Sequence, residues 1–290
     1  MSEPQAPAPR GQAVPSDPDQ PGPPGTEPGG PGLTRALQTF VAAPEVLVAL
    51  DFDGCLAPFV LDPADARPLP ESAEALRRLS TEPGVHLALV SGRPLADLFH
   101  LAAPPPGTVL VGSHGAEHGE VRTDGELHLI PVELTEDQQN LLTEVTSAVE
   151  QIAHAHPGVW IEHKPASAVV HTRALAADRA PEVLQEAMDG PGALPGVSPM
   201  HGNQVVELAV TSATKGESLQ ALRTTLPGVP ALYAGDDVTD ETALGVLGAG
   251  DVGVKVGDAP TVAEHRVAGV QEVAQLLGRL AMWRAAQTSR

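Results

Sequence analysis

Cysteine, aromatic residues and long apolar runs are all scarce in this chain of 290 residues. Because Cys55 is the single cysteine, an intrachain disulfide is excluded, and a reducing cytoplasm is the expected compartment. No apolar stretch is long enough to span a bilayer, and no basic segment followed by an apolar one indicates a signal peptide. Only 2% of the residues are aromatic, so the apolar contacts of the core must come mainly from alanine, valine and leucine.

Basic residues are also few, since 17 lysines and arginines compare with 37 acidic residues, for a formal charge of -20. Nucleic acid and anionic membranes are therefore not expected partners, because no basic patch is available to neutralise their phosphates. A phosphorylated substrate would have to be bound by a few well-placed lysine and arginine side chains. Lysine occurs only three times, at Lys164, Lys215 and Lys255, and each is a candidate for such a role. The sequence does not fix the oligomeric state, and we expect a monomer.

The chain divides into three kinds of segment. Residues 1–32 hold ten of the 30 prolines and six of the 29 glycines, so we expect a disordered tail. Residues 33–126 and 210–290 alternate continuous apolar strands with helices, which predicts an α/β core with a parallel sheet. Residues 127–209 lack that alternation and predict a small α+β domain inserted in the core. The predicted core strands are 46–50, 85–90, 108–111, 231–234 and 252–256.

Two acidic clusters each follow directly on a predicted core strand. The first contains Asp51 and Asp53, and the second contains Asp236, Asp237 and Asp240. Open α/β sheets place their chemistry where the strands end. Carboxylates so concentrated repel one another unless a cation lies among them, and hard oxygen ligands favour Mg²⁺. The clusters therefore predict a Mg²⁺-dependent phosphoryl-transfer enzyme.

Each acidic residue has a predicted role. Asp51 is the nucleophile, which attacks phosphorus and forms an aspartyl-phosphate. Asp53 protonates the leaving sugar oxygen and then deprotonates the water that hydrolyses the intermediate. Asp51, Asp53 and Asp236 are the predicted metal ligands. Asp237 and Asp240 are predicted to orient these ligands or a lysine without binding the metal themselves. Asp240 also begins a predicted helix, so favourable charge at a helix N-terminus is the alternative interpretation of that residue.

Two further motifs supply a hydroxyl and a cation. Ser91 and Arg93 directly follow the predicted strand at 85–90, and a hydroxyl beside exposed backbone N–H groups suits a phosphoryl oxygen. An ordinary helix N-terminus is the alternative interpretation of Ser91. Lys215 lies at the start of a predicted helix, where its ammonium would neutralise charge on Asp51 and on the transferred phosphoryl group.

The order of these four motifs resembles that of the haloacid-dehalogenase-like (HAD) phosphohydrolases. That superfamily has D-x-D-G, then serine or threonine, then lysine, then G-D-D-x-x-D. The corresponding residues are Asp51-Phe52-Asp53-Gly54, Ser91, Lys215 and Gly235–Asp240. The resemblance implies a HAD-like Rossmannoid core with a parallel sheet and an inserted α+β cap domain.

The insert resembles the cap of the trehalose-6-phosphate phosphatases. The matching segments are Glu162–Ser167, His171–Arg173, Val206–Leu208 and, in the core, Gly112–Gly115. The resemblance implies that Glu162, Lys164, Arg173 and Glu207 contact the hydroxyls of a sugar, a task that suits carboxylates as acceptors and basic side chains as donors. Arg93 and His114 are further candidates for substrate binding. Cys55 departs from the family, which usually has threonine there.

The predicted function is hydrolysis of trehalose 6-phosphate to trehalose and inorganic phosphate, as in trehalose biosynthesis. A phosphatase of another sugar phosphate, such as sucrose phosphate, is the nearest alternative, because such enzymes have a related core and a similar cap. A sugar-phosphate-binding module without activity is an alternative of another class. Such a module would be expected to lose Asp51, Asp53 or the second acidic cluster, all of which are present here.

Overall fold

The computed structural model describes residues 29–288, apart from 132, 177, 203 and 212. The strands are β1 (Val46–Leu50), β2 (Val85–Val90), β3 (Val109–Gly112), β4 (Glu117–Val121), β5 (Leu127–Ile130), β6 (Trp160–Lys164), β7 (Ser167–His171), β8 (Ser198–Gly202), β9 (Val205–Ala209), β10 (Ala231–Gly235), β11 (Val252–Val256) and β12 (His265–Val267). The α-helices are α1 (Gly30–Val41), α2 (Pro70–Leu79), α3 (Leu95–Ala102), α4 (Glu136–Ala155), α5 (Ala180–Asp189), α6 (Lys215–Thr225), α7 (Asp240–Leu244) and α8 (Val270–Thr288). None of the helices in these ranges has both the length and the apolar character that crossing a membrane requires.

The larger sheet has eight strands in the order β12-β11-β10-β1-β2-β3-β4-β5. The strands from β12 to β3 run parallel, and β4 and β5 add antiparallel at one edge. Its central strands are continuous apolar runs because buried side chains cover both faces of the sheet. The α/β prediction is confirmed, and all five predicted core strands lie in this sheet, displaced by at most one residue at either end.

The described part of the chain begins with α1, which the sequence analysis did not predict. The helix starts at Gly30, inside the segment assigned to the disordered tail, and residues 1–28 of that segment lie outside the described residues. The high proline and glycine content obscures an apolar stripe at helical spacing, and Pro31 suits the first turn of a helix. The buried side chains of the stripe are Leu33, Leu37, Phe40 and Val41.

The smaller sheet has four antiparallel strands in the order β6-β7-β9-β8, and α4 and α5 pack on one face of it. A capping box starts α4, because Thr135 and Gln138 each accept a hydrogen bond from the other's backbone N–H. The strand β5, which the sequence analysis placed in the insert, belongs to the larger sheet instead. A turn at Gly125 (φ 85°) folds it back against β4. Alternation of side chains predicts a half-buried strand but does not show which sheet it joins.

Arg284 on α8 ties the last helix to the loops that lead into β1 and β2. The residue is 5% exposed, and its Nη1 donates to the carbonyls of Val41 at 3.0 Å and Ala43 at 2.6 Å. Its Nη2 donates to the carbonyls of Pro44 at 3.1 Å and Pro83 at 2.6 Å. One side chain therefore satisfies four backbone acceptors at the end of the sheet that is opposite the carboxyl ends of β1 and β2.

We expect Arg284→Met to lower the free energy of unfolding by about 2–4 kcal/mol, because hydrogen bonds from a charged donor contribute about 1.5–3 kcal/mol each and do not add fully. Methionine keeps most of the apolar stem, so the lost donors dominate. Urea denaturation followed by circular dichroism measures the change. Arg35→Met, which alters an exposed arginine of α1, is the matched control and should shift the value by less than about 0.5 kcal/mol. Equal stability of Arg284→Met and the unaltered protein would contradict the anchoring role.

Candidate active site

The two acidic clusters meet where β1 and β10 end. These strands are parallel neighbours, and the backbone N–H of Asp51 donates to the carbonyl of Ala234 at 2.9 Å. Carboxylate oxygens of Asp51, Asp236 and Asp240 lie within 4.8 Å of one another. Asp51 and Asp240 are buried, and Asp236 is half-buried. The sheet order therefore brings motifs from both halves of the chain into one site.

Lys215 lies between Asp51 and Asp240, with its side chain only 2% exposed. Its Nζ is 2.9 Å from Oδ1 of Asp51 and donates to Oδ1 of Asp240 at 2.7 Å. Helix α6 begins at this lysine, and a capping box of Thr214 and Glu217 fixes the first turn. The contact with Asp51 that the sequence analysis expected of Lys215 is present.

Negative charge is in excess around this lysine. Burial raises the pKa of Asp51 well above its ordinary value, and Lys215 opposes that effect only in part. Burial, together with the charge of Asp240, raises the pKa of Asp236 to about 6. Although burial acts in the opposite direction, Asp51 and Asp240 raise the pKa of Lys215. A cation that prefers oxygen ligands would relieve the imbalance, and the three carboxylates supply such ligands.

Asp240 is fully buried and is fixed by donors on several sides. Besides Lys215, the hydroxyl of Tyr233 donates to its Oδ1 at 2.6 Å, and the backbone N–H of Asp237 donates to its Oδ2 at 2.9 Å. Gly235 makes room for this carboxyl group, because a Cβ at that position would lie 2.2 Å from Cγ of Asp240. Asp240 therefore has the contacts needed to orient both the lysine and the acidic loop.

The carboxylate of Asp53 lies outside the group formed by Asp51, Asp236 and Asp240. Its two oxygens accept hydrogen bonds from Arg93, at 2.6 Å from Nε and 2.7 Å from Nη2. A guanidinium group matches a carboxylate at two points, which explains why the pair forms. Asp53 was predicted as a metal ligand, and that role stays a prediction; the carboxylates that lie together in the structure are those of Asp51, Asp236 and Asp240.

The loop after β3 carries His114. Ser113 and His114 have positive φ angles of 48° and 57°, a conformation that non-glycine residues rarely adopt. Glu117 holds the loop, because its Oε2 accepts hydrogen bonds from the Ser113 hydroxyl at 3.0 Å and from the backbone N–H of Leu95 at 2.7 Å. A Cβ at Gly92 would lie 2.4 Å from the imidazole ring. Burial lowers the pKa of His114, so the neutral ring can donate a hydrogen bond from one nitrogen.

These side chains line a single cleft of about 590 Å³. The predicted site residues in its lining are Asp51, Asp53, Ser91, Arg93, His114, Lys215, Asp236 and Asp237. Ser91 is 1% exposed, and its hydroxyl accepts a hydrogen bond from the backbone N–H of Arg93 at 3.2 Å. Phe59 and Pro63 also line the cleft, and no motif in the sequence indicated them. Thr239 lines it as well and lies within the second acidic motif, but the sequence analysis gave it no role.

Lys164 connects the smaller sheet to the core. It lies at the end of β6, and its Nζ donates to Oε2 of Glu207 at 2.9 Å and to the hydroxyl of Ser113 at 3.4 Å. The other oxygen of Glu207 accepts a hydrogen bond from the Ser167 hydroxyl at 2.6 Å. Because Ser113 is the neighbour of His114, two of the four predicted sugar-binding residues reach the edge of the cleft.

The other two predicted sugar-binding residues lie farther along the smaller sheet. Oε2 of Glu162 accepts a hydrogen bond from Nε2 of His171 at 2.9 Å, and the His171 ring stacks on Trp160 with centroids 3.7 Å apart. Arg173 is an exposed residue in the turn after β7. Within the described part of the chain, none of the four predicted sugar-binding residues belongs to the lining of the cleft, although Lys164 and Glu207 lie nearer to it than Glu162 and Arg173.

Sequence reasoning assigned no position in the site to three residues that hold it together, although Lys255 had been noted as a candidate cation. Tyr233 bonds Asp240, Glu117 bonds the Ser113 hydroxyl, and Lys255 donates to the carbonyl of Asp237 at 3.1 Å. A signal was available for two of them, because Tyr233 is the only tyrosine and Lys255 is one of three lysines. Glu117 lies in a segment with several charged residues and carried no such signal.

The thiol of Cys55 contacts the backbone of a neighbouring strand. The thiol donates to the carbonyl of Ala234 at 3.5 Å, which links the loop after β1 to β10. Burial raises the pKa of this thiol well above its ordinary value, so it stays protonated and serves as a donor. The looser contact expected from a weak donor is consistent with this long distance.

Comparison with known proteins identifies the family. The sequence profile of the trehalose-phosphatase family matches residues 49–270. The trehalose-phosphate phosphatase of Mycobacterium marinum is 32% identical over 265 residues, which cover 86% of this chain and 66% of that protein. For the Mycobacterium leprae trehalose-phosphate phosphatase the identity is 32% over 259 residues, covering 84% of this chain and 58% of that protein. The chain thus spans 58% to 66% of the length of these relatives.

Solved structures share the fold. The C-terminal domain of Candida albicans trehalose-6-phosphate phosphatase has a TM-score of 0.65 at 24% identity, over 86% of this chain and 96% of that one. A structure of Aspergillus fumigatus trehalose-6-phosphate phosphatase has a TM-score of 0.63 at 23% identity, over 89% of this chain and 99% of that one. The resemblance drawn from the motifs is confirmed, because the family profile spans all four of them. The chain belongs to the trehalose-phosphatase family.

Proposed function

We propose that this protein hydrolyses trehalose 6-phosphate to trehalose and inorganic phosphate through an aspartyl-phosphate on Asp51. The observation that carries the proposal is the carboxylate of Asp51 at the cleft, held by the buried ammonium of Lys215 beside Asp236 and Asp240. Membership of the trehalose-phosphatase family supports the choice of substrate. The cytoplasmic location and the monomeric state stay predictions from the sequence.

The reaction has two steps, and both use Asp53. In the first, an oxygen of Asp51 attacks phosphorus, the bond from phosphorus to the sugar oxygen breaks, and Asp53 donates a proton to that oxygen. In the second, Asp53 takes a proton from water, whose oxygen attacks phosphorus and releases phosphate from Asp51. Lys215 offsets the negative charge of Asp51 and of the phosphoryl group throughout, while Ser91 and Arg93 hold phosphoryl oxygens.

Mg²⁺ is the cofactor that we propose, with Asp51 and Asp236 as the side chains that would hold it. Their oxygens are hard ligands in a region of excess negative charge, which suits this ion. Bound Mg²⁺ would offset the charge of the phosphoryl oxygens. Asp240 already accepts hydrogen bonds from Lys215, Tyr233 and Asp237, so we assign it to holding the lysine and the loop.

The smaller sheet with α4 and α5 is the proposed cap, which recognises the sugar. Lys164 and Glu207 lie next to the loop of His114, so these three residues would contact the hydroxyls nearest the phosphate. Glu162 and Arg173 lie farther from the cleft, and we assign them to the more distant sugar ring. A disaccharide phosphate is long enough to use both sets, whereas a small aryl phosphate is not.

Asp51→Asn should lower turnover of trehalose 6-phosphate by at least about a thousandfold, because an amide is a poor nucleophile. Phosphate release measures the loss, and circular dichroism should show an unchanged fold. Asp65→Asn, which makes the same change at an exposed aspartate outside the cleft, is the matched control and should keep normal turnover. Substantial turnover by Asp51→Asn would exclude the covalent mechanism.

Removal of divalent cations should abolish phosphate release, and Mg²⁺ should restore it. The experiment compares protein dialysed against EDTA with the same protein after Mg²⁺ is added back. When the Asp236→Asn variant is treated in the same way, added Mg²⁺ should restore much less activity than in the unaltered protein, because one of the two proposed ligands is weakened. A full rate in EDTA would contradict the proposed cofactor.

Trehalose 6-phosphate should be hydrolysed in clear preference to sucrose 6-phosphate, glucose 6-phosphate and a small aryl phosphate. We expect Lys164→Met to lower kcat/KM for trehalose 6-phosphate about 10- to 100-fold, because a buried charged contact to the sugar is lost. Turnover of the aryl phosphate should change less than about threefold, since it lacks that contact. Preference for sucrose 6-phosphate would assign the protein to the alternative phosphatase, and no release from any of the four would favour a binding module.

A further inference from the structure

Lys255 is the one lysine to which the proposed function gives no role. It lies on β11 and is 1% exposed, although its neighbour Gly253 on the same face of the strand is half-buried. Burial of an ammonium group costs stability unless hydrogen bonds and an opposite charge compensate. The hydrogen-bond partners of Lys255 therefore indicate the role of this residue.

Both partners of Lys255 belong to the second acidic cluster. Its Nζ donates to the backbone carbonyl of Asp237 at 3.1 Å and to Oε1 of Glu241 at 3.0 Å. Glu241 is itself fixed, because its Oε2 accepts hydrogen bonds from the backbone N–H of Val262 at 2.9 Å and the Thr261 hydroxyl at 3.1 Å. The lysine thus joins the acidic loop to a rigid strand and to the segment before β12.

Several contacts hold the acidic loop, residues 236–241. One is the carboxylate of Asp240, which contacts Lys215 and Tyr233 on the side of the nucleophile. Another is the carbonyl of Asp237, which accepts a hydrogen bond from Lys255. Asp236 lies next to that carbonyl in the sequence. Its carboxylate position therefore depends on a peptide segment that Lys255 restrains.

We propose that Lys255 is a positioning residue that fixes Asp236 for the divalent cation by holding the backbone of Asp237 and the carboxylate of Glu241. The inference rests on the proposed function, because it assumes a cation bound by Asp51 and Asp236. Lys255 touches neither the substrate nor the cation. Its contribution is to keep the loop in the ligand-binding conformation before the cation arrives.

Direct titration of Mg²⁺ into metal-free protein by calorimetry tests this role. Lys255→Met should weaken Mg²⁺ binding about 10-fold, the lower end of what outer contacts contribute to metal affinity. The Mg²⁺ concentration that gives half-maximal activity should rise by the same factor, whereas kcat and the KM for trehalose 6-phosphate at saturating Mg²⁺ should change less than about threefold. Asp236→Asn identifies the relevant binding event, because it should remove that event from the titration.

Two further variants separate positioning from simple loss of stability. Arg284→Met removes another buried cation far from the loop, so it should lower stability without changing Mg²⁺ affinity. Glu241→Gln keeps the side-chain shape but removes the charge that faces Lys255, and it should weaken Mg²⁺ binding about threefold. If Lys255→Met does not fold, the Mg²⁺ affinity of Glu241→Gln tests the proposal in its place. Unchanged Mg²⁺ affinity in the folded variants of Lys255 and Glu241 would overturn the proposal. Absence of Mg²⁺ binding by the unaltered protein would instead overturn the proposed cofactor.

Discussion

A lysine ammonium that is removed from water is stable only when opposite charges lie close to it. Lys215 meets this condition through Asp51 and Asp240, which come from different halves of the core. These three side chains can meet only if β1 and β10 are parallel neighbours and α6 begins beside their carboxyl ends. Three features are consistent with this single requirement: the sheet order, the insertion point of the smaller sheet and the absence of a side chain at Gly235.

Charge is distributed unusually in this protein. All three lysines are buried or nearly so, and each contacts a carboxylate, in the pairs Lys164–Glu207, Lys215–Asp51, Lys215–Asp240 and Lys255–Glu241. Under the proposed function, a protein with a formal charge of -20 would repel its anionic substrate at a distance and attract it only within the cleft. Recognition of the phosphoryl group would then be local, through Lys215 and Arg93, and salt that screens the long-range repulsion should favour rather than oppose association.

The core strands and the composition of the site could be predicted from the sequence because both follow from one rule. A buried parallel strand is a continuous apolar run, and the polar residues that follow it lie at the reactive edge of the sheet. The antiparallel strands β4 and β8 were not predicted. The first contains Glu117, His118 and Glu120, and the second contains Pro199 and Gly202, so neither resembles an apolar run.

The pairing of side chains within the site could not be predicted from order along the chain. The sequence places Asp53 two residues from Asp51, which suggests a shared metal, but successive positions around a turn face different neighbours. In the structure the carboxylate of Asp53 contacts Arg93, while the carboxylate of Asp240 lies beside those of Asp51 and Asp236, where Gly235 leaves space for it. The positions of the motifs along the chain therefore predicted which residues meet at the site, while three-dimensional packing decided which of their side chains contact one another.

The pair formed by Asp53 and Arg93 has a consequence for the proposed reaction. In the structure both oxygens of Asp53 accept hydrogen bonds from the guanidinium group of Arg93. A phosphoryl group offers Arg93 the same two-point match, so a bound substrate competes with Asp53 for this side chain. Once Arg93 turns to the phosphoryl oxygens, the carboxyl group of Asp53 is freed to contact the leaving sugar oxygen. Under the proposed mechanism, the general acid thus becomes competent only when a substrate occupies the cleft.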